Sequence, residues 1–177
     1  MKFCLAFIAL ICSTAVFSQT AKPYVHETKD YKIQFPSTPS DTSFKIPSEL
    51  GELVLHMNTY QPRIELNDEN VVYSLIETSY PDTVNPEDIT ENLDVFFREA
   101  IDGAVKEVKG KLLNETAVFF GAYPARTVEI EFGNGSFIIK ATYLLKENKI
   151  IVLQTLTEKL KYPNAQVNKF FESFQLK

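Results

Sequence analysis

ARTVEIEFGNGSFIIKATYLL, residues 125–145, decides how this chain folds. Asn134-Gly135 is a strong hairpin signal, because both central residues of the favoured two-residue turn need positive φ, which asparagine and glycine accept. A loop of that length sets the register of the flanking strands. Phe132 then faces Phe137, Ile130 faces Ile139, Val128 faces Ala141 and Arg126 faces Tyr143. On the opposite side Glu129 meets Lys140 and Thr127 meets Thr142. One side is apolar and the other carries an ion pair and a threonine pair, a division that cross-strand pairing favours.

Working outward, Glu147-Asn148 reads as the next turn, with Tyr143 facing Val152, Ala141 facing Gln154 and Ile139 facing Leu156. Ile138, Leu144, Ile151 and Leu153 then fall on the second side, which needs a cover of its own. YPNAQVNKFFESFQL supplies one, a short helix presenting Val167, Phe170, Phe171 and Phe174. Upstream, KLLNETAVFF leads through GAYP into the hairpin. Before it lies a long amphipathic helix with Asn85 as N-cap, Pro86 at its first position and an apolar stripe through Ile89, Leu93, Phe96, Phe97, Ile101, Val105 and Val108. Gly110 reads as its C-terminal cap. Toward the N-terminus, YKIQF alternates as a half-buried strand ended by Pro36 and Pro39. TSFKI and ELVLHMNTY are joined by the turn-rich PSELG, and NVVYSLIETSY is a further strand. The fold class is α+β, an antiparallel sheet flanked by helices on both faces, an α/β/α sandwich.

A strand ending in FPSTP, a hairpin, a long helix, a β-meander and a C-terminal helix ending FESFQL resemble the PsbP-like family in order and layout, over nearly the whole chain after its first residues. The resemblance implies a small non-catalytic protein that assists a larger assembly or has no assigned role, and many members of the family are exported bacterial proteins. No functional residue of the family maps onto a motif here.

The first residues read as an export signal. Lys2 supplies the positive start, Phe3 to Phe17 are predominantly apolar, and Val16 and Ser18 sit where signal peptidase selects small side chains. That stretch is shorter than the roughly 18–20 apolar residues needed to span a bilayer. Ile11 before Cys12 does not fit a lipidation site. The expected organisation is a signal peptide at 1–18, cleaved between Ser18 and Gln19, a flexible lead-in at 19–28 and a single PsbP-like domain at 29–177, periplasmic or secreted. Cys4 and Cys12 leave with the signal, so no disulfide or thiol chemistry is expected. The formal net charge of −5 and the lack of a basic run argue against nucleic acid and anionic membrane surfaces as partners.

Chemistry is sparse. The two histidines, His26 and His56, do not fall at metal-ligand spacing, and no Gly-x-Ser-x-Gly or phosphate loop occurs. No catalytic residue, metal or cofactor is therefore expected. One oddity stands on the apolar side of the meander, where Arg126 lies beside Tyr143 with Gln154 diagonally near. A guanidinium among apolar residues must find acceptors or reach water. Either it reaches the rim of the sheet and packs over Tyr143, or the three residues hold a polar or anionic ligand. The leading reading is a non-enzymatic exported accessory module binding a protein partner in the bacterial cell envelope. The alternative is a small-ligand carrier with a pocket between sheet and long helix.

Overall fold

The computed structural model describes residues 22–48, 51–63, 66–80 and 92–177. The expected export signal and cleavage site, the helix start expected at Asn85 and Pro86, and Glu49-Leu50 of the PSELG stretch lie outside them. In chain order the elements are β1 (Tyr24–Glu27), β2 (Tyr31–Phe35), β3 (Ser40–Ser48), β4 (Gly51–Tyr60), β5 (Asn70–Ser79), α1 (Leu93–Glu107), β6 (Lys111–Phe120), β7 (Tyr123–Phe132), β8 (Phe137–Lys146), β9 (Lys149–Glu158), α2 (Ala165–Glu172) and β10 (Gln175–Leu176). Two antiparallel sheets result, a large one in the order β3-β4-β5-β9-β8-β7-β6 and a small one in the order β1-β2-β10.

The large sheet grows from the β7–β8 hairpin. Asn134 and Gly135 take φ values of 55° and 82°, and Ser136 N–H closes the turn on the Gly133 carbonyl at 3.2 Å. The register pairs Phe132 with Phe137, Val128 with Ala141 and Arg126 with Tyr143, as the turn requires. Glu147 adopts φ 55° in the next turn, and β9 follows with Tyr143 opposite Val152 and Ala141 opposite Gln154. Thr127 and Thr142 hydroxyls lie 2.9 Å apart. Glu129 and Lys140 face each other without forming the expected ion pair: Glu129 accepts from the Tyr162 hydroxyl, and the Lys140 ammonium sits 4.8 Å from the centre of the Phe171 ring. Both side chains turn to the layer that covers their side of the sheet, where a phenol and a ring face offer partners without exposing either strand.

Alternate residues of the strands feed two separate cores. Tyr143, Leu145, Ile150 and Val152 pack with Phe97 and Ile101 of α1, while Leu144, Ile151 and Leu153 pack with Tyr31, Ile33 and Phe35 of β2 and with Phe170 and Phe174. The second side is therefore covered by a mixed layer, the small sheet together with α2. Phe170 joins its parts, its ring lying 5.3 Å from both Phe35 and Tyr73. Residues 24–27, expected within a flexible lead-in, form β1, which pairs antiparallel with β2 and half-buries His26. Strand ladder bonds to β2 hold this short segment, which carries no alternation of its own.

The described part of α1 ends in a Schellman motif. Gly110 N–H reaches the Val105 carbonyl at 2.9 Å and Lys109 N–H the Lys106 carbonyl at 3.1 Å. The left-handed residue is Lys109, at φ 50°, one position before the expected Gly110. Gly110 answers to space instead: a Cβ there would lie 2.8 Å from both the Glu131 carbonyl oxygen and Ile130 Cγ2. Helix α2 starts at Asn164, whose side-chain oxygen accepts from Val167 N–H at 2.8 Å.

Candidate functional site

Strand alternation puts Arg126 and Tyr143 on the α1 side of the large sheet as direct partners. Arg126 leaves β7 toward the helix and its side chain is 14% exposed. Its charge is met there. Asp94, in the first turn of α1, accepts from Nη2; Glu115 of β6 lies 3.7 Å from Nε; and the Phe97 ring centre lies 5.0 Å from the guanidinium carbon. Glu115 in turn accepts from Arg98 of α1 at 2.7 Å. The resulting chain of two arginines and two carboxylates ties the first half of α1 to the edge strand β6. Tyr143 is buried under the helix, and burial pushes its phenol up to about 12. Gln154 stands one strand further on, opposite Ala141 and Ser74. Among the described residues no hydrogen bond joins any two of Arg126, Tyr143 and Gln154.

Gln154 is half-buried between Val152 and Leu156, both of which pack in or against the core beneath α1. Directly paired residues project to the same side, so the row Ala141, Gln154, Ser74, Thr59, Ser40 crosses from β8 to β3 on one surface. The next rows end in Thr42 and Phe44 by the same reasoning. At the β3 end this surface is open: Phe44 is 48% and Ile46 42% exposed. A shallow concavity of about 440 Å³ lies there, bounded by Ser40, Thr42 and Phe44 of β3 and by Met57, Thr59 and Tyr60 of β4. A wall of two hydroxyl-bearing threonines, a phenylalanine and a methionine can take an apolar group and orient it with few polar contacts.

The opposite side carries polar clusters that sequence reasoning did not find. Asp30, in the β1–β2 turn, accepts from Lys146 at 3.1 Å and Lys149 at 3.3 Å, and Lys149 also reaches Glu77 at 2.9 Å. The Tyr31 hydroxyl completes the set by donating to Glu77 at 3.0 Å. Two cations and two carboxylates thus clamp the small sheet onto the β8–β9 turn. The lysine hydrogen bonds hold the Asp30 carboxyl below its ordinary range. A second cluster joins Asn70, Asp68, Tyr73, Thr157 and Asn164. Asn70 Oδ1 accepts from Thr157 at 2.6 Å and from Asn164 at 3.0 Å, and the Tyr73 hydroxyl donates to Asp68 at 2.8 Å. The partners lie 87 and 94 residues apart in the chain, beyond any local motif. Each group in both sets is answered by another protein group, which is what structural polar clusters need.

His56 is exposed on β4, opposite Ser43 and Glu77. Burial lowers the His26 pKa, against the opposing charges of Asp41 and Glu77. No group of three or more His, Cys, Asp or Glu side chains among the described residues could hold a metal ion. No helix among the described residues is long and apolar enough to cross a membrane.

No family model matches the sequence, and no curated protein matches it. Solved structures do. The solution structure of cyanobacterial PsbP from Synechocystis sp. PCC 6803 is similar over 94% of this chain and 97% of its own, with a TM-score of 0.55 and 15% sequence identity. A Pseudomonas aeruginosa protein of unknown function aligns over 82% of this chain and 90% of its own at 10% identity, with a TM-score of 0.41. The first of these comparisons establishes a PsbP-like fold for this chain.

Proposed function

We propose that this protein is a non-enzymatic accessory module of the bacterial cell envelope, exported by cleavage between Ser18 and Gln19, that binds a protein partner through the open β3–β4 end of its large sheet. The exposure of Phe44 and Ile46 beside a concavity carries the reading. Apolar side chains gathered on one strand face, away from the two packed cores, are the usual mark of a surface that another chain covers. The PsbP-like fold supports an accessory role over a catalytic one. The carrier alternative needs acceptor-hungry groups and room beside Arg126. Asp94, Glu115 and the Phe97 ring already occupy that guanidinium, and Tyr143 packs in the core next to it.

A photo-crosslinking residue placed at Phe44 in the native host tests the proposal. Discrete protein adducts from position 44, absent when the same residue replaces the fully exposed Leu160, are expected. No adduct at position 44 overturns the binding-module reading. For export, the intact mass of protein recovered from the host should begin at Gln19. A mass that retains Cys12 with acyl chains overturns that part.

A further inference from the structure

The large sheet has two edges, and they differ. Strand β6 carries a register shift between Leu112 and Asn114, a bulge of the kind that turns an edge away from pairing. Strand β3 runs unbroken against β4 for nine consecutive pairs, from Ser40–Thr59 to Ser48–Gly51. Among the described residues its other side faces no strand. Backbone hydrogen bonds alternate from one side of a strand to the other, and Tyr80 N–H donates to the Asn148 carbonyl between β5 and β9. Carried through the registers of β5, β4 and β3, that phase turns the backbone groups of Pro47, Lys45, Ser43 and Asp41 outward. Pro47, lacking an N–H, sits where a proline costs the sheet nothing. Among the described residues no strand takes up the outward donors and acceptors of Asp41, Ser43 and Lys45.

We propose that this edge pairs antiparallel with the same strand of a second copy, about a two-fold axis through Ser43. The inference rests on the binding-module reading and names its partner. Only outward-facing residues can pair, so few registers exist. Centring the axis on Asp41 opposes two aspartates; centring it on Lys45 opposes two lysines and brings in Pro47. Shifts that place Ser43 opposite Asp41 or Lys45 leave the charges unmatched. Centring on Ser43 puts Asp41 of each copy opposite Lys45 of the other, twice by symmetry, and lets all three outward residues exchange both backbone bonds. Lys45, now paired with Glu52 at 2.7 Å, then stands between two carboxylates. On the other side of the sheet the same register sets Phe44 opposite Thr42 and Ile46 opposite Ser40 of the second copy. Ile46 thereby lands beside the concavity that Ser40 and Thr42 bound. Charge, hydrogen-bond phase and apolar shape select one arrangement.

Sedimentation velocity on the purified protein over a range of concentrations tests it, with Asp41→Lys, Lys45→Glu and the double exchange. A dimer is expected, weakened on the order of tenfold or more by either single exchange, which opposes like charges twice, and restored by the double exchange. Both residues are exposed on an edge strand, and a circular dichroism spectrum unchanged from wild type confirms that each variant folds. Ser43→Pro, which removes the central N–H, should abolish the dimer. A monomer at every concentration, or a dimer indifferent to the single exchanges, overturns the proposal. The crosslinker at Phe44 separates the two levels: adducts with a different protein alongside a monomer sink only self-pairing, whereas no adduct at all sinks the binding-module reading beneath it.

Discussion

Phe97 of α1 and Arg126 of β7 face each other with the guanidinium carbon 5.0 Å from the ring centre. Arg126→Ala removes a cation from an aromatic face and strips the stem that covers it. The expected loss is about 1–3 kcal/mol of stability, seen as a lower urea midpoint with an unchanged m-value. Asp94→Asn should cost under about 1 kcal/mol, because Asp94 is 91% exposed and its attraction is screened by water. An Arg126→Ala variant as stable as wild type would mean that the residue is free for a ligand.

Asn164 serves two elements at once. It caps α2 through Val167 N–H and donates to Asn70 at 3.0 Å. Asn164→Ala should lower stability by about 2–3 kcal/mol, combining a lost cap with a buried acceptor left short of a donor. A fall in Tm of several degrees in calorimetry checks it; a loss below about 0.5 kcal/mol would refute the double role.

Asp30 sets an acid limit. Its folded pKa lies below its unfolded value, so its contribution is complete above the unfolded value, near pH 4, and is lost as pH falls through the folded value. Asp30→Asn should therefore be less stable than wild type at pH 7. The gap between the two should close as pH is lowered below about 4 in parallel urea titrations. A gap that stays constant over that range would show that the lysine contacts add nothing to folding.

The end of α1 offers a pair of opposite predictions. Lys109→Gly should stabilise by about 0.5–1 kcal/mol, since glycine adopts φ 50° without the strain of a side chain. Gly110→Ala should destabilise by about 1–3 kcal/mol, since its Cβ would press on the Glu131 carbonyl and Ile130. Reversed signs in chemical denaturation would contradict the geometry of this cap.

What could be read in advance follows from how local the determining chemistry is. The Asn134-Gly135 turn specifies its own backbone, and a turn with known length carries the pairing of every residue on both strands, out to Arg126 and Tyr143. The stripe on α1 and the phenylalanines of α2 were legible by the same logic of period and face. Charges were not. Glu129 and Lys140 stand opposite each other, yet their partners are Tyr162 and Phe171 from the end of the chain. Arg126, on an apolar side, needs acceptors, but its carboxylates come from α1 and β6, 32 and 11 residues away. Strand β1 was hidden because YVHE lacks alternation and owes its form to β2.

Strand β2 takes its two neighbours from distant stretches of the sequence, β1 just before it and β10 at 175–176. Lys177 N–H adds a bond to the Asp30 carbonyl at 3.0 Å. The small sheet therefore cannot be completed until residues 175–177 have been synthesised and can reach β2. Until then, one edge of β2 is unpaired, and the molecule has a built-in delay between synthesis and its finished shape.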